Sequence, residues 1–148
     1  MQERATMIEQ TVATCPECGA VQVDGMTCWE QLGALLGWES QDPELQAAHF
    51  LTVAAYNLQH PAQFTSGAWP GLRTSFIARL EQGTAVEDWQ RQAARASAGQ
   101  TRVLRNEVNR MPVRRSWSIT IADVYRPDRP AGAAARVRAW AACIRQEL

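Results

Sequence analysis

A chain of 148 residues, 46% hydrophobic and 20% charged, has the composition of one ordinary globular domain, which excludes disordered, collagen-like and multidomain readings. Fifteen basic and fifteen acidic side chains cancel, no apolar run approaches the roughly 18 residues of a membrane-spanning helix, and the opening MQERATMIEQ lacks the apolar stretch of a signal peptide, so a cytoplasmic location without membrane contact is expected. A domain of this size buries about 70% of its unfolded surface and needs no staples, so a metal site in it is a local clamp or a functional centre.

The zero net charge conceals an asymmetry. All fifteen basic residues are arginine; up to Leu72 there is one, Arg4, against eight carboxylates, and beyond it fourteen stand against seven. Two packed halves would partly cancel these charges, and the alternative is a basic face for an anionic partner.

In chain order, Ala5 to Val12 is a short periodic stretch. Residues 14–28 read as a metal knuckle with a small hairpin, because TCPECGAVQVDGM combines a proline, two glycines and alternating Val21 and Val23. Thr27 with Glu30 forms a capping box for a helix from Cys28 to Leu36, ended by Gly37. Asp42-Pro43-Glu44 supplies an N-cap carboxylate, a proline at the first helical position and an acid facing the helix dipole. The helix it starts runs to about Gln59 before Pro61 and buries Leu51, Val53, Ala54 and Leu58. Trp69-Pro70 opens a third helix closed by Gly83, and Thr84 with Glu87 caps a fourth, from Ala85 to Ala98, completing a helical core over 28–100.

The pattern weakens over 101–130. Arg102 to Val108 has helical spacing, Pro112 breaks it, and Trp117 to Val124 alternates as an extended segment. A final helix fills 131–148, with Val137, Trp140, Ala141 and Ile144 on one stripe. The expected fold class is mainly α, a bundle-like single domain with an N-terminal zinc knuckle and short hairpin.

The chemistry lies in the cysteines. Cys15 and Cys18, two residues apart, can take adjacent tetrahedral positions on one ion, with Gly19 turning backbone N–H groups toward sulfur. Cys28 follows after the Asp24-Gly25 turn, which brings the chain back to the knuckle. Zinc is the expected cofactor. A redox dithiol would normally open a helix after a strand in a βαβ unit, and that pattern is missing. Cys143 reads as a small buried hydrophobe in the last helix.

The fourth ligand is one of two histidines. His49 and His60 lie eleven residues apart on one helical stripe with Val53 and Tyr56, separated by about 16 Å along the axis, so an unbroken helix cannot bring both to one ion. If the helices 28–36 and 43–59 form a hairpin turning near residues 39 and 40, Cys28 faces residue 51. His49 is then the expected ligand and His60 the alternative. Tyr56 and His60, one turn apart, are candidate catalytic residues for moving a proton.

The order CPECG, GMTCWE, HFLTVAAYNLQHP, ITIADV and a closing RAWA helix resembles a family of small bacterial proteins of unknown function. The resemblance covers most of 15–145 and rests chiefly on Cys15, Cys18, Cys28 and the run Tyr56-x-Leu58-Gln59-His60-Pro61. It implies that the cysteines and histidine belong to one design; it supplies no activity, substrate or partner.

Three functions are compatible with these residues. The first is a zinc-binding accessory or interaction domain with a closed structural site, partnered by a protein or small molecule. The second is a zinc enzyme with an open Cys/His site and a bound water. The third is a nucleic-acid binder using Arg102, Arg105, Arg110, Arg114 and Arg115, with Trp117 able to stack on a base. Nucleic acid is the least expected partner, because seven acids dilute the arginines of the second half and the first half is acidic.

Overall fold

The computed structural model describes residues 13–82, 104–106, 110 and 114–148. It is mainly helical. Among the described residues there are six α-helices, α1 (Cys28–Trp38), α2 (Pro43–Ala47), α3 (His49–Leu58), α4 (Ala68–Gln82), α5 (Ile121–Tyr125) and α6 (Ala133–Glu147), with 3₁₀ turns at Glu39–Gln41 and Pro61–Gln63. None is long and apolar enough to cross a membrane. The expected helix at 85–98 and the periodic stretch Ala5 to Val12 lie outside the described residues. Of the expected helix over 102–108 only 104–106 is described, and there Leu104 bridges Phe64 instead.

The knuckle and hairpin precede α1. Antiparallel bridges join Thr14 to Val21 and Val23 to Met26. Asp24 and Gly25 both have positive φ, 54° and 74°, the combination that a tight two-residue hairpin turn demands. The buried Gln31 of α1 pins this hairpin, its Nε2 donating to the carbonyls of Val21 at 2.9 Å and Met26 at 3.0 Å. At the turn, Asp24 pairs with Arg129, whose guanidinium also donates to the Tyr125 hydroxyl at 2.8 Å.

Thr27 caps α1 as expected, accepting from Glu30 N–H at 3.3 Å. Gly37 does not end it. The helix runs to Trp38, and Ser40 Oγ donates to the Gly37 carbonyl at 3.2 Å, a local bond that satisfies one carbonyl of the last turn. Asp42 caps α2, accepting from Leu45 N–H at 3.1 Å, with Pro43 in the first turn. The single helix expected over 43–59 is broken at Ala48 (φ −88°, ψ 5°) into α2 and α3. The break changes which side chains face inward. Ala54 and Leu58 are buried as expected, whereas Leu51 and Val53 are half-buried and Thr52, Ala55 and Tyr56 take their place.

Residues expected to be extended over 117–124 bend at Ser118 and Ile119 and then form α5. Thr120 and Asp123 close a capping box around its first turn, with the Thr120 N–H donating to Asp123 at 2.9 Å. Two side-chain partners for the first orphan N–H groups outweigh a short alternation that has no neighbouring strand to pair with. Arg136 satisfies the other end, its Nε donating to the Val124 carbonyl at 2.7 Å.

Helix α6 packs on α3 and α5, α5 on α1, and α4 on α3. Trp140, Phe76, Leu35, Leu45, Leu58, Ile121 and Ile144 are among the fully buried side chains of the core they enclose. Cys143, expected inside, is half-buried and donates to Glu147 at 3.0 Å, because it sits beside the Val137–Trp140–Ile144 stripe instead of on it. One polar side chain crosses the core. Gln59 is 1% exposed; its Nε2 donates to the Ile119 carbonyl at 2.8 Å and its Oε1 accepts from the Trp140 indole at 3.3 Å. Gln59→Leu keeps the bulk but orphans a buried carbonyl and a buried indole N–H, at about 1–3 kcal/mol each. The expected loss is about 3 kcal/mol, measured as a fall in the urea midpoint at unchanged slope; an unchanged midpoint would refute the assignment.

Candidate metal centre

The site is built by three segments. The first is the knuckle. Cys15 N–H donates to the Ala20 carbonyl at 2.9 Å and Gly19 N–H to the Cys15 carbonyl at 3.0 Å, curling the chain so that both cysteines face inward. Gly19 makes this possible with φ 75°. The same curl lets Ala20 N–H donate to Cys18 Sγ at 3.4 Å, a bond that favours the thiolate. The second segment is the start of α1, which presents Cys28, and the third is the end of α3, which presents Tyr56 and His60.

The ligand atoms of Cys15, Cys18, Cys28 and His60 all lie within 4.8 Å of one another. His60 Nε2 is 3.6 Å from Cys15 Sγ and 3.5 Å from Cys28 Sγ. A tetrahedral ion with arms of about 2.3 Å to sulfur and about 2.0–2.1 Å to nitrogen has a sulfur–nitrogen edge of about 3.6 Å, so these two distances suit one ion between them. His60 Nδ1 is 2.6 Å from the Tyr56 carbonyl. A carbonyl only accepts, so Nδ1 carries a proton and Nε2 is left facing the sulfurs, the nitrogen that a metal would take. The four residues are compatible with a metal site.

The protonation pattern points the same way. Three sulfurs this close compete for negative charge. Hydrogen bonds from Cys18 and Cys28 hold the Cys15 thiol far below the ordinary range, while the Cys18 thiol is pushed far above it by its bonds to Cys15 and Cys28 and by burial. Burial pulls the His60 imidazole down, but its bonds to Cys15 and Cys28 and to the Tyr56 carbonyl outweigh that and hold it at about 10, so without a cation Nε2 keeps a proton that a bound metal would displace. A cation at the centre would relieve the competition among the sulfurs.

The expected fourth ligand, His49, lies elsewhere. It sits at the exposed start of α3, with Nδ1 2.8 Å from Glu39. The hairpin register explains the correction. Helix α1 runs on to Trp38, and the 3₁₀ turn, α2 and Ala48 all belong to the corner before α3 begins at His49. The midpoint between Trp38 and His49 falls between Pro43 and Glu44, and Cys28 reflected through it meets Gln59 instead of residue 51. The neighbour in reach is then His60.

Tyr56, proposed from sequence as a proton carrier beside His60, stacks on that imidazole with centroids 4.0 Å apart and has its hydroxyl 3.6 Å from Cys28 Sγ. Burial first, and Cys28 second, push its phenol well above the ordinary range. It therefore keeps its proton and can donate to the Cys28 sulfur. Trp29, 66% exposed, lies against it with ring centroids 5.9 Å apart. Sequence reasoning missed Glu17, whose Oε2 accepts from Ala62 N–H at 3.3 Å and whose carbonyl accepts from Arg115 N–H at 3.4 Å, tying the knuckle to the chain after α3 and to the segment before α5.

Two glycine substitutions separate backbone need from helix propensity. At Gly19 an added Cβ meets only Arg114 Nη2, at 3.7 Å, so the cost of Gly19→Ala is the left-handed backbone, about 1–2 kcal/mol. Gly33, inside α1 with nothing within 4 Å of the added Cβ, should instead gain up to about 1 kcal/mol as alanine. Denaturant unfolding of the two variants is expected to shift in opposite directions; shifts of the same sign would contradict the assigned backbone roles.

No curated protein and no solved structure matches the chain. A family model does match, over residues 13–148, and so takes in the knuckle, Cys28 and the helix end that carries Tyr56, Gln59 and His60. The chain accordingly belongs to a family of unknown function, DUF5946.

Proposed function

We propose that the protein is a small zinc-binding accessory module in which Cys15, Cys18, Cys28 and His60 hold one zinc ion as a closed structural site. The observation that carries this reading is the convergence of three sulfurs and one correctly oriented imidazole nitrogen within 4.8 Å. Three thiolates and an imidazole complete a tetrahedral shell and leave no position for water or substrate. Soft sulfur donors with one nitrogen suit zinc better than the hard cations, which take oxygen ligands. Zinc bound to such small sites is worth about 10–16 kcal/mol, against about 5–15 kcal/mol for the net stability of a whole domain. The metal then decides whether the knuckle stays docked on α1 and α3.

The enzyme alternative needs a free coordination position and a proton carrier. Both candidate carriers are engaged: His60 belongs to the ligand set and Tyr56 faces Cys28. That counts against an open site. It leaves an interaction role, in which the metal supports a surface for a partner.

Purified protein is expected to contain one zinc per chain, and cobalt exchange to give the intense charge-transfer absorption of three thiolates with the visible bands of a tetrahedral ion. Cys15→Ser and His60→Ala should each lose most of the metal. His49→Ala should retain it, at a stability cost below about 1 kcal/mol for an exposed pair. Zinc retained by His60→Ala, or no metal in any preparation, would remove the proposal.

The hydroxyl of Tyr56 offers a finer test. Tyr56→Phe deletes the donor to Cys28 and nothing else of size, so metal should remain with affinity lowered about tenfold, the low end for outer hydrogen bonds to a ligand. The cobalt charge-transfer band should shift to lower energy as the Cys28 sulfur becomes more electron-rich. An unshifted band and unchanged affinity would show that the hydroxyl does not act on the site.

A further inference from the structure

The segment between α4 and α5 carries arginines that the metal centre does not use. Their spacing in sequence suggests dilution by acids, but their placement does not. Arg105 lies against the chain just after the site, its N–H donating to the Gln63 carbonyl at 2.8 Å and its Nε to the Phe64 carbonyl. Arg110 Nε donates to the Arg105 carbonyl at 3.2 Å, and its charge reaches Glu17 of the knuckle. Arg114 Nη2 reaches the Gly19 turn, and Arg115 N–H bonds the Glu17 carbonyl. Three of these residues, Arg110, Arg114 and Arg115, thus border the knuckle, and Arg105 lies beside Phe64 next to them.

Of the acids that dilute them in sequence, three among the described residues are engaged by other groups. Glu81 pairs with Arg145, Asp123 closes the capping box of α5, and Glu147, although within electrostatic reach of Arg115, holds Ser118 through its N–H and hydroxyl. Glu17 is the carboxylate beside the cluster, and its Oε2 is engaged by Ala62 N–H. Among the described residues, none of Arg105, Arg110, Arg114 and Arg115 forms an ion pair with a carboxylate. Flat and apolar surface accompanies the charge. The Arg115 guanidinium lies 4.2 Å from the centroid of the half-buried Trp117 ring, and Leu104, 48% exposed, sits beside Phe64.

We infer that this arginine face beside the knuckle binds single-stranded nucleic acid, the guanidinium groups meeting phosphates and the Arg115–Trp117 stack and Leu104 meeting bases. Unpaired arginines alone would fit any polyanion. The planar guanidinium–indole stack and the exposed apolar side chain favour a strand with unstacked bases, because base stacking on such surfaces is independent of sequence and inaccessible in a duplex. This goes beyond the zinc module by naming its partner, and it does not depend on which metal the knuckle holds.

The test is fluorescence anisotropy of the metal-loaded full chain with a labelled oligouridine, titrated with salt. Four phosphate contacts predict that affinity falls about 50-fold between about 50 and about 200 mM salt, from a single-strand slope of about 0.7 per contact. The Arg114→Ala/Arg115→Ala variant keeps the backbone bond to Glu17 and is expected to retain full metal content. Its salt dependence should drop to about sevenfold, as two contacts remain. Arg115→Lys, which keeps the charge but loses the planar stack, should weaken binding at unchanged salt slope. The inference is overturned by no binding at about 50 mM salt, by equal binding of the double variant and the parent, by a duplex of the same length binding as tightly, or by anionic lipid vesicles binding while the oligonucleotide does not. Metal content measured on the same samples keeps a failure of this inference distinct from a failure of the zinc reading.

Discussion

Everything near the knuckle depends on a problem of charge. Three sulfurs and an imidazole occupy one small volume, two of the four residues being buried. Without a central positive charge, the sulfurs repel one another too strongly to be thiolates together, so some keep their protons. The chain supplies partial remedies from its own dipoles, the Ala20 N–H on Cys18 and the Tyr56 hydroxyl on Cys28. These are the hydrogen bonds a metal thiolate site requires, and the same donors serve little purpose around neutral thiols.

The end of α3 shows how few residues connect this site to the rest of the fold. Leu58 goes into the apolar core, Gln59 bridges the segment before α5 to α6, and His60 turns to the sulfurs. Three consecutive side chains therefore serve three environments, and a shift of one position would misplace all of them. Helix α3 is thereby fixed in rotation and in axial position, which gives the imidazole a defined place opposite Cys28.

Much of this was legible in the residues. The CxxC spacing, the Asp24-Gly25 turn, the Thr27 cap and the Asp42-Pro43 start are local signals whose physics needs no distant partner. The break at Ala48 has no such signal, since alanine is the best helix former and nothing nearby competes for its backbone. It follows from packing, and with it went the register that favoured His49 over His60. Helix α5 was a different kind of oversight. Its capping box, Thr120 with Asp123, stands in the sequence, but a five-residue helix is too short for periodicity to reveal and the alternation of Trp117, Ile119 and Ile121 imitated a strand. Arg110, Arg114 and Arg115 were visible individually, whereas their gathering around Glu17 and Gly19 depends on how the chain folds back.

The pairing of Asp24 with Arg129 has a mechanical consequence. The hairpin is held at three places along its length: its base by the sulfurs, its middle by Gln31, and its tip by the arginine. With no ion at the centre, the base would rest on the Glu17 bonds to Ala62 and Arg115, and the knuckle would open like a hinged flap about its tip and middle while staying attached. Such an opening is a local excursion with its own free energy, smaller than that of unfolding the helices. Reclosing requires only a short pivot back onto α1 and α3.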